Sequence, residues 1–121
     1  MRGADISDTE RDLTRIKLID WEYCGMCDPL IDVGMFIIYS YMNESDAEDL
    51  IKIYLGRNAG TEELAVIYSY ISLGGFLWAL WGVYKESLGV TFGDYTLKMY
   101  KYAKDYYKKA EPLWEKLSNR L

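Results

Sequence analysis

From Leu64 to Tyr84 the chain carries no charged residue. Within it Leu64, Ile67, Tyr68, Ile71, Gly75 and Trp78 fall on one face at 3- and 4-residue steps, so the stretch reads as a helix. Two environments accept such a helix: a bilayer, or the interior of a helical domain. The run includes Ser69, Ser72, Gly74 and Gly75, and its tyrosines are spread along it instead of gathering at two ends. Membrane spans place their aromatic residues at the interfaces. The pattern therefore favours a helix buried between other helices, with a small membrane-anchored protein as the alternative. Thr61 is the expected N-cap, with Glu62 and Glu63 near the positive end of the helix dipole. The helix should run to about Leu88 before Gly89. Gly74-Gly75 inside it lowers helix propensity, which close packing against another backbone would explain.

The rest of the chain supplies partners for that helix. Half of the residues are apolar and 16% are aromatic, enough for a core and too many for a disordered chain. With 121 residues, one domain is expected. Leu30 to Met42 reads as a largely buried helix. Ser45-Asp-Ala-Glu48 matches a capping box, so a helix is expected from Asp46 to about Leu55, ended by Gly56–Gly60. From about Gly93 a long amphipathic helix follows, with Met99, Tyr100, Ala103, Tyr106, Tyr107, Ala110, Leu113, Trp114 and Leu117 on one stripe. Pro112 should kink or restart it. Near the N-terminus, Ile16 to Tyr23 is a short apolar run of β-formers and reads as a strand, with a hairpin partner around Asp8–Leu13. The expected fold is mainly α with a short N-terminal β-hairpin.

Several chemistries are excluded by composition. The net charge of -5 leaves no basic footprint for nucleic acid. There is no histidine, so no mechanism with a histidine base operates within this chain. Cys24 and Cys27 form a C-x-x-C, yet structural zinc needs four ligands and the chain has no other Cys and no His. A redox pair would sit where a helix begins within a βαβ pattern, which the sequence does not show, so the pair reads as two small loop side chains. No secretory signal precedes the first apolar run, which favours the cytoplasm.

Two blocks carry a family resemblance. The run Ile19-Asp-Trp-Glu-Tyr-Cys-Gly-Met-Cys-Asp-Pro-Leu-Ile-Asp-Val-Gly34 resembles the metal-binding segment of choline kinases and their bacterial relatives. Phe76-Leu-Trp-Ala-Leu-Trp81, followed by Phe92-Gly, resembles that family's paired-tryptophan segment. Order and approximate spacing agree, over most of residues 16–107. The resemblance implies the C-terminal part of a protein-kinase-like C-lobe, with residues 1–23 as hairpin and metal-binding strand and 28–121 as the helical region. It implies an ATP-dependent kinase acting on choline, ethanolamine or another small cationic alcohol. Aminoglycoside phosphotransferases are the neighbouring alternative within the superfamily, but they lack the tryptophan pair.

The residues suit that chemistry. Phosphoryl transfer from ATP needs Mg²⁺, a hard cation that takes carboxylate ligands. The resemblance implies that Asp20 binds Mg²⁺, at the position of the protein-kinase DFG aspartate, with Glu22 as a second contact. Alternation along a strand would put both carboxylates on one side; the plain reading is two exposed acids ending an edge strand. Asp32 would accept hydrogen bonds from a catalytic loop, or serve as an ordinary acid of a first helical turn. Trp78 and Trp81, three apart, share a helix face. Quaternary ammonium groups bind aromatic faces for roughly 0.5–2 kcal/mol per contact, and the resemblance implies a pocket of Trp78, Trp81 and Tyr23 with Tyr95, Tyr100 and Tyr102 as further candidates. The alternative is that these rings are ordinary core. Met35 and Tyr39 depart from the Asn and acid of eukaryotic members, which leaves the amino alcohol open.

A kinase of this type also needs a glycine-rich loop, a Lys–Glu pair and a catalytic loop with Asp and Asn. These would precede residue 16, and fifteen residues cannot hold them. The expectation is a fragment without catalytic residues of its own, completed by a missing N-terminal lobe. Alternatively, it is a non-enzymatic helical interaction module, self-associating through exposed apolar surface.

Overall fold

The computed structural model describes residues 15–21 and 24–120. Four helices make up its ordered elements: α1 (Leu30–Tyr39), α2 (Glu44–Leu55), α3 (Thr61–Ser87) and α4 (Tyr95–Ser118). α3 is the centre. It packs against α4 along its length and against α1, while α2 attaches to α1. The largest fully buried side chains are Ile37, Ile38, Ile51, Ile67, Ile71 and Met99, at least one from each helix. Each such burial is worth roughly 1.5–3 kcal/mol relative to exposure.

The glycines of α3 set how closely its neighbours lie. A Cβ built on Gly75 would stand 2.7 Å from both the Ala103 nitrogen and the Met99 oxygen of α4. One on Gly74 would strike Met35 of α1, and one on Gly82 would strike Thr96 of α4. The glycine pair thus has the close-packing role expected of it. By length and composition α3 could cross a bilayer, and a third (33%) of its most apolar window is buried among the described residues.

The helix ends follow local chemistry, with adjustments. α2 begins earlier than the Ser45 capping box suggests: Asn43 is its N-cap and accepts from the Asp46 N–H at 2.9 Å. Gly56 closes it in the left-handed conformation, φ 68°. At α3 the cap is Gly60, one residue before Thr61, and its N–H donates to the Glu63 carboxylate at 3.3 Å. α4 runs uninterrupted through Pro112. Of the stripe expected on it, Met99, Ala103, Tyr106 and Ala110 are buried, whereas Tyr100, Tyr107 and Trp114 are exposed.

The N-terminal expectation is overturned. No strand occurs among the described residues, and the architecture there is helical, without the sheet of a kinase-like lobe. The hairpin partner, Asp8–Leu13, lies outside the described residues. Residues 16–21 form an irregular segment with Ile16, Leu18, Ile19 and Trp21 all more than half exposed. A strand needs a neighbour to pair its N–H and C=O groups, and none runs beside this segment among the described residues. The segment bonds to itself instead: the Trp21 indole N–H donates to the Leu18 carbonyl at 3.1 Å, and the Cys24 N–H to the Trp21 carbonyl at 3.0 Å. Asp20 itself is left-handed, φ 66°, which interrupts any extended run.

Candidate aromatic cation site

One end of the bundle gathers aromatic rings from three elements. Tyr39 closes α1, Trp78 and Trp81 lie on α3, Tyr95 opens α4, and Phe92 sits in the connection between the last two. Trp78 and Trp81 meet edge to face, centroids 5.8 Å apart. Tyr39 meets Trp78 at 6.0 Å, and Tyr95 meets Trp81 at 6.0 Å, both edge-on. Phe92 stacks on Trp81 at 5.2 Å with 20° between planes. Such offset and edge-on pairs are favourable beyond the area they bury.

The local sequence explains the gathering. Gly89 and Gly93, at φ 82° and 61°, turn the chain after α3 through conformations that cost other residues strain. The Tyr95 N–H then donates to the Phe92 carbonyl at 3.2 Å, starting α4 beside its own connection. Gly82 leaves room for Thr96 to lie against α3, and Thr96 donates to Glu86 at 3.0 Å. With Thr96 held there, its neighbour Tyr95 reaches Trp81.

The electrostatics of the cluster are those of a partly dry site. Burial, reinforced by Tyr41 and Tyr39, pushes the Tyr95 phenol above its ordinary pKa. The Trp78 indole N–H is buried and finds no acceptor, a cost of order 1–3 kcal/mol if left so. The Lys85 ammonium stands 5.6 Å from the Trp81 ring centroid, so a cation already uses one of these rings.

The expected site residues therefore divide. Trp78, Trp81 and Tyr95 come together. Tyr102 does not join them; its hydroxyl donates to the Met42 carbonyl at 2.8 Å and its ring stacks on Tyr106 at 6.2 Å. It lines a separate cavity of about 420 Å³ with Tyr41, Lys98 and Asp105. Tyr100 is exposed on the outer side of α4. Glu22 and Tyr23 lie outside the described residues. Asp20 is exposed and forms no hydrogen bond or ion pair with another described residue. Its left-handed backbone departs from the extended conformation on which the expected strand alternation rested. Asp32 is an exposed acid in the first turn of α1. Among the described residues no three acids or cysteines are grouped to hold a metal. A lone carboxylate still suits Mg²⁺, which commonly takes one or two carboxylates and fills its sphere with water and phosphate. Cys24 and Cys27 are free and exposed.

Sequence reasoning missed the part of three residues, in this region and outside it. Phe92 was seen only as part of a motif. Tyr41, at φ 52°, is a left-handed bulky residue, a rare and strained state that collects at functional sites; Lys98 stands 4.8 Å over its ring. Asp28 ties two elements together, accepting from the Leu30 N–H at 3.0 Å and from the Tyr70 hydroxyl at 2.8 Å. The aromatic run Tyr39-Ser-Tyr41 at a helix end was the available signal for Tyr39 and Tyr41.

The chain is similar to protein LicA of Haemophilus influenzae. Two LicA sequences of that organism are each 33% identical to it over 90 residues, 69% of this chain. The matched stretch is 34% of one LicA and 26% of the other, so the chain spans about a third of the length of these relatives or less. No family model matches the chain, and no solved structure does.

Proposed function

We propose that this chain is the substrate-pocket portion of an ATP-dependent small-molecule kinase whose acceptor is choline or a related amino alcohol. The observation that carries the reading is the assembly of Trp78, Trp81, Phe92, Tyr95 and Tyr39 at one end of the bundle. The choline-kinase-type motifs and the similarity to LicA, both read from the sequence, support it beside this geometry. A quaternary or primary ammonium would lie against the ring faces, and Tyr39 replaces the acid found in eukaryotic members.

Asp20 and Glu22 are the carboxylates proposed to hold Mg²⁺; when bound, it would neutralise phosphate charge. The chain's own contribution is to seat the alcohol. The glycine-rich loop, the Lys–Glu pair and the catalytic loop would belong to a separate N-terminal lobe. ATP chemistry of this kind fits a cytoplasmic location.

Titration of the 121-residue chain with choline, followed by tryptophan fluorescence and by calorimetry, tests the pocket. A few cation–π contacts of roughly 0.5–2 kcal/mol each predict a Kd near the millimolar range. Trp81→Ala should abolish the response and Trp114→Phe should preserve it. Absence of binding by both methods at high choline concentration would remove the proposal's support. No ADP should form from ATP, Mg²⁺ and choline with this chain alone; measurable turnover would contradict the placing of catalytic groups elsewhere.

A further inference from the structure

The side of α3 turned away from its neighbours is apolar. Leu73, Leu77, Leu80 and Tyr84 stand above one another at steps of four, three and four residues. They are 65%, 59%, 52% and 59% exposed. Phe76 and Val83 flank them, each also more than half exposed. Four-three steps are the a and d positions of a heptad, the spacing with which one helix seats against another. Alongside, α4 shows Tyr107 and Trp114, seven residues apart and both exposed. Between the two helices runs a groove of about 450 Å³ with Leu73, Ala110 and Trp114 on its apolar floor and Glu111 and Glu115 at its rim.

We propose that this seam joins two copies of the chain, α3 against α3, antiparallel about a two-fold axis between Leu77 and Leu80. The spacing reads the same in both directions, so the axis sets Leu77 on Leu80 of the other copy, and Leu73 on Tyr84. This is the self-complementarity an isologous interface requires. Tyr84 then enters the mouth of the groove, its ring over the apolar floor and its hydroxyl at the acidic rim. A chain of net charge -5 repels its own copy through most of its surface, and this seam is a face without charge. With aromatic side chains carrying roughly 150–250 Å² each, the exposed halves of these rings and leucines approach the ~800 Å² per partner of specific complexes. A bilayer fits less well: from Leu73 to Tyr84 the seam is about 16 Å long at 1.5 Å per residue, roughly half of a hydrocarbon core of about 30 Å. The interface rests on the surface of α3, not on the aromatic cluster or any enzymatic reading.

Sedimentation of the full chain without detergent tests it. The expected species is a dimer of the 14.1 kDa chain. Leu77→Lys and Leu80→Glu, at exposed positions, should each keep the helical circular dichroism and raise the dimer dissociation constant by at least about a hundred-fold, through burial of an unpaired charge. The double variant Leu77→Lys/Leu80→Glu should regain much of the dimer, because antiparallel packing sets each lysine on the other copy's glutamate. A parallel dimer would set lysine on lysine and gain nothing. Four results would overturn the proposal: a monomeric wild type, polydisperse aggregates indifferent to the single variants, a double variant no better than the singles, or wild-type protein transferring to phosphatidylcholine vesicles in preference to dimerising.

Discussion

The two sides of α3 are built from the same kind of residue and do opposite things. The inner side holds Ile67, Ile71, Gly74, Gly75 and Gly82, all buried; the outer holds Leu73, Leu77, Leu80 and Tyr84, all more than half exposed. Hydropathy does not separate them, since the helix is apolar all round. Glycine does. On the inner side Gly74, Gly75 and Gly82, beside the buried Ile67 and Ile71, let the neighbouring helices approach within a distance that a Cβ would not tolerate, whereas the outer seam of Leu73, Leu77, Leu80 and Tyr84 holds no glycine. An inner face can therefore be recognised by what is missing from it. The sharpest way to break this contrast is Gly75→Leu. Even its Cβ would stand 2.7 Å from two backbone atoms of α4, and neither is the free end of a side chain. Overpacking typically costs 1–3 kcal/mol and more where the backbone must move, so a loss of about 3 kcal/mol or greater is expected against the few kcal/mol that hold a small domain. Thermal melting by circular dichroism measures it. A melting temperature within a few degrees of wild type would show that the helices are not in contact there.

Tyrosine sharpens the comparison through pH. Tyr106 is 4% exposed, edge-on to Tyr68 at 5.4 Å. Burial, then Tyr68, pushes its phenol well above the ordinary tyrosine value of 10.0. The denatured chain releases this proton near 10, and the folded chain releases it later. Above pH 10 the denatured state thus binds fewer protons, and stability falls as pH rises; below pH 10 this group contributes no slope. The limiting slope is about 1.4 kcal/mol per pH unit for one group. Urea unfolding between pH 8 and pH 11 should show the fall, and Tyr106→Phe should flatten part of it. An unchanged profile in the variant would place the alkaline sensitivity in other groups.

Most of the helical fold was legible, because it is written in periodicity and punctuation. Gly56 ends α2 in the left-handed conformation, and Thr61–Ser87 lies within a residue of the expected span, although its cap is Gly60 in extended backbone instead of Thr61. The strand expected at Ile16–Tyr23 is absent over its described part, residues 16–21, since β-forming residues specify a strand only when a partner backbone lies beside them, and a sequence does not display its partner. The capping box at Ser45 lost to Asn43 for a related reason. Both side chains can cap, and the chain began its helix at the earlier one. At the aromatic site, the i,i+3 tryptophans announced a shared face, but Tyr102 was misplaced into it. Its position depends on the rotation of α4 against α3, which Gly75 and Gly82 fix from the other helix. The outer seam was present in the spacing of Leu73, Leu77, Leu80 and Tyr84, yet hydropathy that is apolar all round does not say which side is left uncovered, and only the placing of the glycines marks the inner one.

The smallest effect belongs to the outer face. Leu77 is 59% exposed, so within one chain it gives up little water on folding. Leu77→Gln should change the folding stability of the single chain by no more than about 0.5 kcal/mol, the usual range for surface substitutions. Unfolding in urea must be followed by tryptophan fluorescence at concentrations low enough for the wild type to be monomeric, so that association does not add to stability by mass action. The concentration dependence carries the rest of the information. If the seam is covered by a second copy, the midpoint of the wild type climbs as concentration rises and that of Leu77→Gln does not. The two curves then converge on dilution. A variant that remains more than about 1 kcal/mol less stable at the dilute limit would mean that Leu77 packs inside its own fold, and the contrast between the two sides of α3 would fail.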